Sequence, residues 1–308
     1  MNYILGIDQG GTKTAAAICD ETGRILGRGI SKGAYYPTEG EESAFSRIVE
    51  AVEQAEKQAG MQRSQIGAAI AGITGIDWPG DDRKVTEKLQ NLLEISNITA
   101  YNDAVIALYC GPEENCDMVL CAGTGMNAAV RTEQDIYFVF GDYIEESMQG
   151  GSALARRAIR RVFDAQAGLG EATAMTELFL RYAGTTQVDE LLRCYMMEPG
   201  FADQIRFLVP DIIKLAEEGD RVTCQMLEEY AIRIGQYILV GLQKCPKEQK
   251  EKKVVLAGGV FKGEKNMLTR MVLQWVTRQD RNVTIVFADQ DPVIGACRMG
   301  LRRGKNGK

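Results

Sequence analysis

Apolar segments that run directly into a glycine-rich turn recur along this chain, and they constrain its fold more than any other feature. The first is GIDQGGTKT at residues 6–14, the second is CAGTGMN at residues 121–127, and the third is LAGGVF at residues 256–261. A strand that ends in such a turn brings exposed backbone N–H groups to a place where the chain can approach a ligand closely. The recurrence in both halves of the sequence predicts two related α/β units.

The periodicity of apolar residues supports this division. Residues 3–8, 14–20 and 25–31 are predicted strands, and the link between the second and third has hairpin chemistry. An apolar stripe predicts a helix over residues 41–60, and strands and helices then alternate. The second half begins with a similar meander, continues with helices over residues 151–245, and closes with two strands and a final helix.

Charge and residue usage exclude several classes of protein. The net charge of −6 argues against nucleic acid as a main partner. The chain contains no histidine, which excludes Ser-His-Asp catalysis, Cys-His catalysis and histidine metal sites. A general base must therefore be Asp, Glu, Lys, Tyr or Cys.

The cysteines and the apolar segments indicate where the protein works. The eight cysteines are scattered without a C-x-x-C pair, which favours small buried hydrophobic residues in a reducing cytoplasm over a zinc or iron–sulfur site built from one local cluster. We find no signal-peptide pattern and no apolar run near the roughly 18 residues of a spanning helix. We therefore expect a cytoplasmic protein with no membrane partner.

The residues of the turns suit a phosphate ligand. Backbone N–H groups, threonine hydroxyls and a lysine can hold phosphate oxygens, and an aspartate at a strand end suits Mg²⁺. Any one such turn is more often a plain turn. The segment GTGMNA also fits the dinucleotide pattern G-x-G-x-x-A, although a strand is predicted to follow it, and the first turn lacks the spacing of a Walker A loop.

As a set, the motifs resemble the BadF/BadG/BcrA/BcrD group of the actin-like ATPase superfamily, a group that includes sugar kinases. GIDQGGTKT is similar to its first phosphate motif, MVLCAGTGMNAAVR to its second, and VVLAGGVF to its adenosine motif. AGITGIDWPGDD, YNDAVIALYCG and DPVIGACRMGL match as well, so the resemblance covers nearly the whole chain. It implies an α/β fold of two ribonuclease-H-like lobes, with ATP and substrate in the interlobe cleft.

The resemblance also implies a division of the chain. We expect an N-terminal actin-like ATPase lobe at residues 1–114 and a C-terminal lobe with a helical block at residues 115–290. A C-terminal helix at residues 291–308 would pack back on the N-terminal lobe. We place the hinge near Gly111, Pro112 and Asn115.

Roles follow for individual residues by the same resemblance. Asp8 would organise Mg²⁺, and Asp103 would be the base that orients the acceptor hydroxyl. The residues expected to bind ATP and its phosphates are Gly10, Gly11, Thr12, Lys13, Thr14, Gly123, Thr124, Gly125, Gly258 and Gly259, of which the last two would pass close to adenosine. The residues expected to bind the acceptor are Thr74, Gly75, Asn102, Asp103, Gly141 and Asp142.

Structural alternatives accompany these roles. Asp8 could cap the turn that follows it, and Lys13 could be a solvated loop residue. Asp103 lies where a strand ends and a helix begins, so it could be the N-cap of that helix. We interpret Trp78 as a packing residue.

Two departures from the family pattern fall on the acceptor side. Tyr36 occupies the place where related sugar kinases often carry an asparagine that touches the sugar. The segment GDYIEESMQGGSALA is longer than its family counterpart and lacks an aromatic pair, although Gly141 and Asp142 are kept and Gly150-Gly151 match the later glycines. The identity of the acceptor is therefore open at this point.

The predicted function is that of an ATP-dependent kinase that phosphorylates a hydroxyl of an amino sugar such as N-acetylglucosamine or glucosamine, with ATP and Mg²⁺ as cofactors. The resemblance implies a homodimer. Two alternatives stay open: an ATPase activator of a radical dehydratase, which would need a cysteine-ligated cluster between subunits, and a non-catalytic nucleotide sensor.

Overall fold

The fold is known from a computed structural model that describes residues 3–112, 116–133, 136–246, 251–261 and 266–305. The predicted lobe boundary after residue 114 and the hinge residue Asn115 lie outside the described residues. The chain forms two compact units. The first comprises residues 1–119, 128–141 and 288–308, and the second comprises residues 120–127 and 142–287.

The strands of the described residues form two five-stranded sheets. Those of the first sheet are β1 (Tyr3–Gln9), β2 (Lys13–Cys19), β3 (Ile25–Lys32), β4 (Ile66–Ile73) and β5 (Ile98–Asn102). Their order is β3-β2-β1-β4-β5. The first three strands are antiparallel neighbours, whereas β4 runs parallel to β1 and β5 runs parallel to β4.

The second sheet has the same topology as the first. Its strands are β6 (Met118–Ala122), β7 (Met126–Glu133), β8 (Ile136–Val139), β9 (Lys252–Ala257) and β10 (Val283–Phe287). Their order is β10-β9-β6-β7-β8. In both sheets an opening meander places its first strand next to the fourth strand of the sheet, which confirms the predicted recurrence of one α/β pattern.

Apart from one short helix at Tyr36–Glu39, the helices lie in the segments where the sequence predicts them. In the first half they are α1 (Tyr36–Glu39), α2 (Glu41–Ala59), α3 (Asp81–Leu93) and α4 (Asp103–Ala107). In the second half they are α5 (Gly150–Gln166), α6 (Met175–Ala183), α7 (Val188–Met197), α8 (Phe201–Gln204), α9 (Val209–Glu217), α10 (Arg221–Leu242), α11 (Met267–Gln279) and α12 (Pro292–Lys305). None of the helices in the described residues is both long and apolar enough to cross a bilayer.

The first sheet is covered on both faces because the side chains of a strand alternate between them. Leu5 and Ile7 of β1 belong to the core that includes buried residues of α2 and α3. On the other face Ile4 packs in a cluster with residues of α12. A Cβ atom on Gly6 would lie 2.5 Å from the carbonyl oxygen of Val293, so α12 approaches β1 more closely than any larger residue would permit.

Helix α2 makes a similar close approach to β3. A Cβ atom on Gly29 would lie 1.9 Å from the carbonyl oxygen of Ala51 and 2.8 Å from the Cβ of Gln54. A Cβ atom on Gly27 would likewise lie 2.1 Å from the carbonyl oxygen of Ala55. The two glycines therefore set the distance between the helix and the meander that carries the first glycine-rich turn.

We expect Gly29→Ala to destabilise the protein, because the added methyl group overlaps helix backbone that cannot move aside. Overpacking of this kind costs about 1–3 kcal/mol. The matched control is Arg28→Ala, since Arg28 is exposed on the same strand. Equilibrium unfolding in urea measures both variants. Equal midpoints for the two variants would contradict the close approach.

Candidate functional site

The first glycine-rich turn closes a hairpin between β1 and β2. The backbone N–H of Gly10 donates to the carbonyl of Lys13 at 2.9 Å, and the carbonyl of Gly10 accepts from the N–H of Ala34 at 3.1 Å. Gly33 lies directly beneath the turn, where a Cβ atom would be 2.4 Å from the backbone nitrogen of Lys13. The turn is thus held from below, and Gly11, Thr12 and Lys13 are exposed.

Thr14 differs from the other predicted phosphate ligands, because its side chain is buried. Its hydroxyl donates to the carbonyl of Lys32 at 2.9 Å and accepts from Nε2 of Gln9 at 3.3 Å. The same Nε2 donates to the carbonyl of Ala44 at 2.8 Å. These bonds give Thr14 an anchoring role in the hairpin, and its contact with phosphate stays a prediction.

The second and third turns lie next to each other in the second unit. The N–H of Gly123 donates to the carbonyl of Gly125 at 2.9 Å, and the carbonyl of Gly123 accepts from the N–H of Gly151 at 2.8 Å. Gly150 has a φ of +56°, and a Cβ atom there would lie 2.2 Å from the carbonyl oxygen of Gly125. The first turn of α5 is therefore bonded to the second glycine-rich turn.

Gly258, in the third turn, packs closely against the start of the second turn. Its φ is +96°, and a Cβ atom would lie 2.4 Å from the carbonyl oxygen of Ala122, the residue before Gly123. Gly258 and Gly259 are exposed, as are Thr124 and Gly125. The predicted phosphate and adenosine turns of this unit therefore lie side by side, each with exposed residues.

Three glycines of these turns have no structural reason to be glycine. Gly11, Gly123 and Gly259 avoid the left-handed region of φ, and no atom lies within 4 Å of the position of a Cβ. Gly304 near the end of α12 shares both properties. The open space above three separate predicted turns fits a ligand that must approach the backbone closely.

The candidate carboxylates of the first unit meet at one edge of its sheet. The parallel register aligns Gln9 of β1 with Ile73 of β4, and Ile73 with Asn102 of β5. Asp8 precedes this row and Asp103 follows it, so the two half-buried side chains are near neighbours at the carboxyl ends of parallel strands. Such an edge is where α/β folds bind their ligands.

Burial and neighbouring negative charge perturb both groups. Burial raises the pKa of Asp8 to about 7, assisted by the charges of Asp103 and Asp291 and opposed by Lys13. Burial likewise raises the pKa of Asp103 to about 6, assisted by the charge of Asp77 and opposed by backbone N–H groups at the start of α4. Strongly perturbed carboxylates that face one another mark a candidate functional site.

The structure identifies the N-cap of α4 as Asn102. Its Oδ1 accepts from the N–H of Ala104 at 2.9 Å, which leaves Asp103 as the first residue of the helix. Nδ2 of Asn102 donates to the carbonyl of Ile76 at 3.1 Å and to Oδ1 of Asp77 at 3.0 Å. Because Asn102 is buried and holds these groups, its direct contact with the acceptor stays a prediction.

Asp77 is the centre of the predicted acceptor residues in the first unit. A Cβ atom on Gly141 would lie 3.5 Å from Oδ1 of Asp77. Gly75 has a φ of +93°, and its carbonyl accepts from the hydroxyl of Tyr36 at 2.7 Å. Burial, with the charges of Asp81 and Asp77, raises the pKa of that hydroxyl to about 12. Tyr36 thus braces this loop.

The remaining predicted acceptor residues are placed differently. The N–H of Thr74 donates to the carbonyl of Gln9 at 2.9 Å, which ties the loop after β4 to the end of β1. Asp142 belongs to the second unit and is exposed. Its role stays a prediction.

Sequence analysis missed two carboxylates and misplaced one aromatic residue. Asp77 lies within IDWPGDD and Asp291 within DPVIGA, and each follows a predicted strand closely enough to have been a candidate. The interpretation of Trp78 as a packing residue is wrong, because its side chain is 67% exposed. Trp78 lies in the turn before α3, where its backbone N–H donates to the carboxylate of Asp81. Its ring is exposed on the surface.

The oxygen atoms of this site suit a hard cation that takes most of its ligands from water and from phosphate. Asp8 offers carboxylate oxygen, and a divalent cation would relieve its repulsion with Asp103. Among the residues that the structure describes, no three His, Cys, Asp or Glu side chains are grouped to hold a metal. Mg²⁺ commonly binds through one or two carboxylates with waters and phosphate oxygens, so the residues fit it.

The duplicated sheet topology assigns the chain to the α/β fold class of two ribonuclease-H-like lobes, the fold of actin-like ATPases. The profile of the BadF/BadG/BcrA/BcrD ATPase family matches residues 5–300. The chain belongs to this family, as its motifs predicted.

Relatives of known function are distant but match over nearly their full length. The N-acetyl-D-glucosamine kinase of Dictyostelium discoideum is 24% identical over 320 residues, which cover 98% of this chain and 98% of that protein. The glucosamine kinase GspK of Vibrio cholerae is 24% identical over 288 residues, with coverage of 90% and 92%.

Solved structures confirm the predicted fold class. The crystal structure of a candidate N-acetylglucosamine kinase from Chromobacterium violaceum matches with a TM-score of 0.70 at 17% identity. The match covers 96% of this chain and 98% of that one.

We expect Asp8→Asn to stabilise the ligand-free protein at about pH 8. Because the folded state raises the pKa of Asp8 from 3.8 to about 7, it retains a proton that the unfolded chain has released. The stability of the unaltered protein therefore falls as pH rises through that interval. Asn removes this penalty, which we expect to be on the order of 1 kcal/mol.

Urea unfolding at about pH 4 and about pH 8 measures the effect, with the exposed Asp82→Asn as control. Asp8→Asn should have a higher free energy of unfolding than the unaltered protein at about pH 8, and nearly the same free energy of unfolding at about pH 4. A variant that is less stable than the parent at the higher pH would show that the charge of Asp8 supports the fold instead.

Proposed function

We propose that this protein is an ATP-dependent kinase that transfers a phosphoryl group to a hydroxyl of an amino sugar such as N-acetylglucosamine or glucosamine. The proposal rests on one combined observation. The chain has glycine-rich turns with open space above their backbone, and it has two carboxylates of raised pKa, Asp8 and Asp103, at the carboxyl ends of strands. Membership of an ATPase family and similarity to two amino-sugar kinases support it.

The proposal assigns nucleotide binding to exposed backbone. In the first unit, the exposed residues Gly11 and Thr12 would present N–H groups to phosphate oxygens, and the exposed ammonium of Lys13 would neutralise their charge. Gly10 would close the turn beneath the phosphates, because its own N–H donates to the carbonyl of Lys13. Thr14 would act behind them by anchoring the hairpin.

In the second unit, the exposed residues Thr124 and Gly125 would take the same role, and the half-buried Gly123 would close the turn through its N–H bond to the carbonyl of Gly125. Gly258 and Gly259 would let the backbone pass close to adenosine, because no atom of the described residues lies within 4 Å of where a Cβ on Gly259 would be.

Asp8 would hold Mg²⁺ in this proposal. Bound there, the ion would neutralise charge on the transferring phosphoryl group. The ordinary role of Asp8 as a turn cap is less favoured, since burial and two neighbouring carboxylates oppose its charge.

Asp103 would be the general base. Its carboxylate would accept the proton of the acceptor hydroxyl while the hydroxyl oxygen bonds to the γ-phosphorus and ADP leaves. A raised pKa suits this step, because a more basic carboxylate accepts a proton more readily. Asn102 would position the base by capping α4, and through Asp77 it would also order the loop that carries Gly75.

The proposal extends to the properties that the family resemblance implies. These are a homodimer in the cytoplasm, an N-terminal lobe at residues 1–114, a C-terminal lobe at residues 115–290, and a closing helix at residues 291–308. The acceptor would be held by Thr74, Gly75, Gly141 and Asp142 together with Asp103.

We expect Asp103→Asn to abolish phosphoryl transfer and leave ATP affinity nearly intact. Asparagine keeps the shape of the side chain but cannot accept a proton, and loss of a positioned base commonly reduces the rate by roughly 10²–10⁴. Since Asn102 is the helix cap and burial already opposes the charge of Asp103, the variant should melt at no lower a temperature than the unaltered protein. Steady-state kinetics on the best acceptor and calorimetric ATP titration measure the two effects.

The matched control is Asp211→Asn, because Asp211 is an exposed carboxylate in the first turn of α9. It should behave like the unaltered protein in every assay. Near-normal turnover by Asp103→Asn would leave the base unidentified and remove the central residue of the mechanism.

We expect Gly259→Val to lose ATP binding while the protein stays folded. The side chain enters space that the protein leaves empty, so it meets the nucleotide and not the fold. Gly304→Val is the control, because Gly304 also has an ordinary φ and open space at the position of a Cβ. Unchanged ATP affinity in folded Gly259→Val would place adenosine elsewhere.

A further inference from the structure

A second candidate site lies in the helical block of the second unit. A cavity of about 570 Å³ is lined by one side of α5, by part of α7, and by Glu146 and Ser147 from the turn before α5. None of its lining residues is among those that we assign to the nucleotide, the metal or the acceptor. Its volume falls within the range of roughly 300–1,000 Å³ that is typical of small-molecule sites.

Four arginines make the lining of this cavity positively charged. Arg156, Arg157, Arg160 and Arg161 all line it, and two carboxylates, Glu146 and Asp164, are the only acidic residues among its described lining. Residues separated by four along a helix are neighbours on its surface, so the two pairs stack on one side of α5. This concentration of positive charge stands on a chain whose net charge is −6.

Three of these arginines have ion pairs that leave part of each guanidinium available. Arg160 pairs with Asp164 at 3.0 Å, Arg161 with Glu229 at 3.0 Å, and Arg156 with Asp203 at 3.3 Å. Each pair uses a single nitrogen–oxygen contact, whereas a guanidinium has five N–H donors. Exposed pairs of this kind contribute little, so an anionic ligand can compete for the remaining donors.

Arg157 has no carboxylate partner among the residues that the structure describes. Its Nε donates to the carbonyl of Ser147 at 3.0 Å, and its Nη2 donates to the hydroxyl of Ser147 at 3.3 Å. Its guanidinium lies 5.5 Å from the ring centre of Tyr230. Neutral groups thus fix a half-buried cation in the wall of the cavity, and its charge is not balanced by a fixed anion.

The rest of the cavity lining is largely apolar and aromatic. Tyr195 of α7 packs edge-on against Phe163 of α5, with ring centres 5.7 Å apart, and both rings line the cavity. Leu192 and Met196 extend this apolar lining and are 39% and 67% exposed. A ligand seated here would meet both positive charge and aromatic rings within one cavity.

We propose that this cavity binds a small phosphate monoester whose other end is a ring. Arginine forks match phosphate oxygens in two-point hydrogen bonds, which a cluster of four can supply from one side of α5. The rings of Tyr195 and Phe163 provide the surface for the rest of the ligand. Nucleoside monophosphates and sugar phosphates share this chemistry, and the test separates them.

Calorimetric titration of the full chain, saturated with ADP and Mg²⁺ so that the nucleotide turns are occupied, tests the proposal. The probes are adenosine monophosphate, glucosamine 6-phosphate, glycerol phosphate and inorganic phosphate. We expect one ring-bearing monoester to bind at one site per chain and the two ringless probes to bind at least about tenfold more weakly, because they lose the contact with the aromatic rings.

Two variants assign the binding to the cavity. Arg157→Gln and Arg160→Gln should each weaken the best probe by at least about tenfold, since each removes charge-assisted hydrogen bonds. Arg278→Gln is the control, because Arg278 is an exposed arginine of α11 in the same unit and does not line the cavity. Because Arg160 is 68% exposed, its replacement should leave the melting temperature unchanged and keep the test valid if Arg157→Gln unfolds.

Three outcomes would overturn the proposal. The first is that no probe binds at millimolar concentration. The second is that a probe binds with an affinity that folded Arg160→Gln and Arg157→Gln both leave unchanged. The third is that Arg160→Gln dissociates a dimer in light scattering while no probe binds, which would make this surface a subunit interface.

Discussion

Asp8 and Asp103 repel each other at the carboxyl edge of the first sheet, and the surrounding structure maintains that unfavourable arrangement. Burial raises the pKa of both; the charges of Asp103 and Asp291 add to the shift at Asp8, and the charge of Asp77 adds to the shift at Asp103. The parallel register of β1, β4 and β5 fixes where the two carboxylates stand. A fold selected for stability alone would place neutral side chains there, so the arrangement indicates a chemical use.

Glycine serves two separate purposes in this protein. Gly33, Gly150 and Gly258 allow backbone segments to approach one another, and a Cβ at any of them would overlap main-chain atoms. Gly11, Gly123 and Gly259 would overlap nothing. The first group builds the turns, and the second group leaves their outer surface open. A sequence pattern alone cannot separate the two groups, because both read as glycine in a turn.

Much of the architecture could be predicted from apolar periodicity and turn chemistry. The strand meanders, the long helix α2 and the closing helix α12 follow from local pattern, because each buries one face against the sheet. The short helix at Tyr36–Glu39 was not predicted, since its form depends on the contact of Tyr36 with the loop at Gly75.

The candidate site was predictable to the extent that its residues lie within recognisable motifs. Asp8 and Asp103 were found in this way. The division of labour between Asn102 and Asp103 was not, because either residue can cap a helix and only the observed hydrogen bond decides between them. The arginine-lined cavity was missed because its residues read as an ordinary amphipathic helix until α7 is seen to cover one side of it.

The central claim is that the nucleotide turns and the carboxylates serve transfer to a sugar. A coupled assay of ADP release over amino sugars, neutral hexoses and no acceptor tests it most directly. The account predicts ADP release that requires a sugar and is fastest with an amino sugar, with one phosphorylated sugar formed for each ADP. ADP release at the same rate without any acceptor, or none despite tight ATP binding, would contradict it.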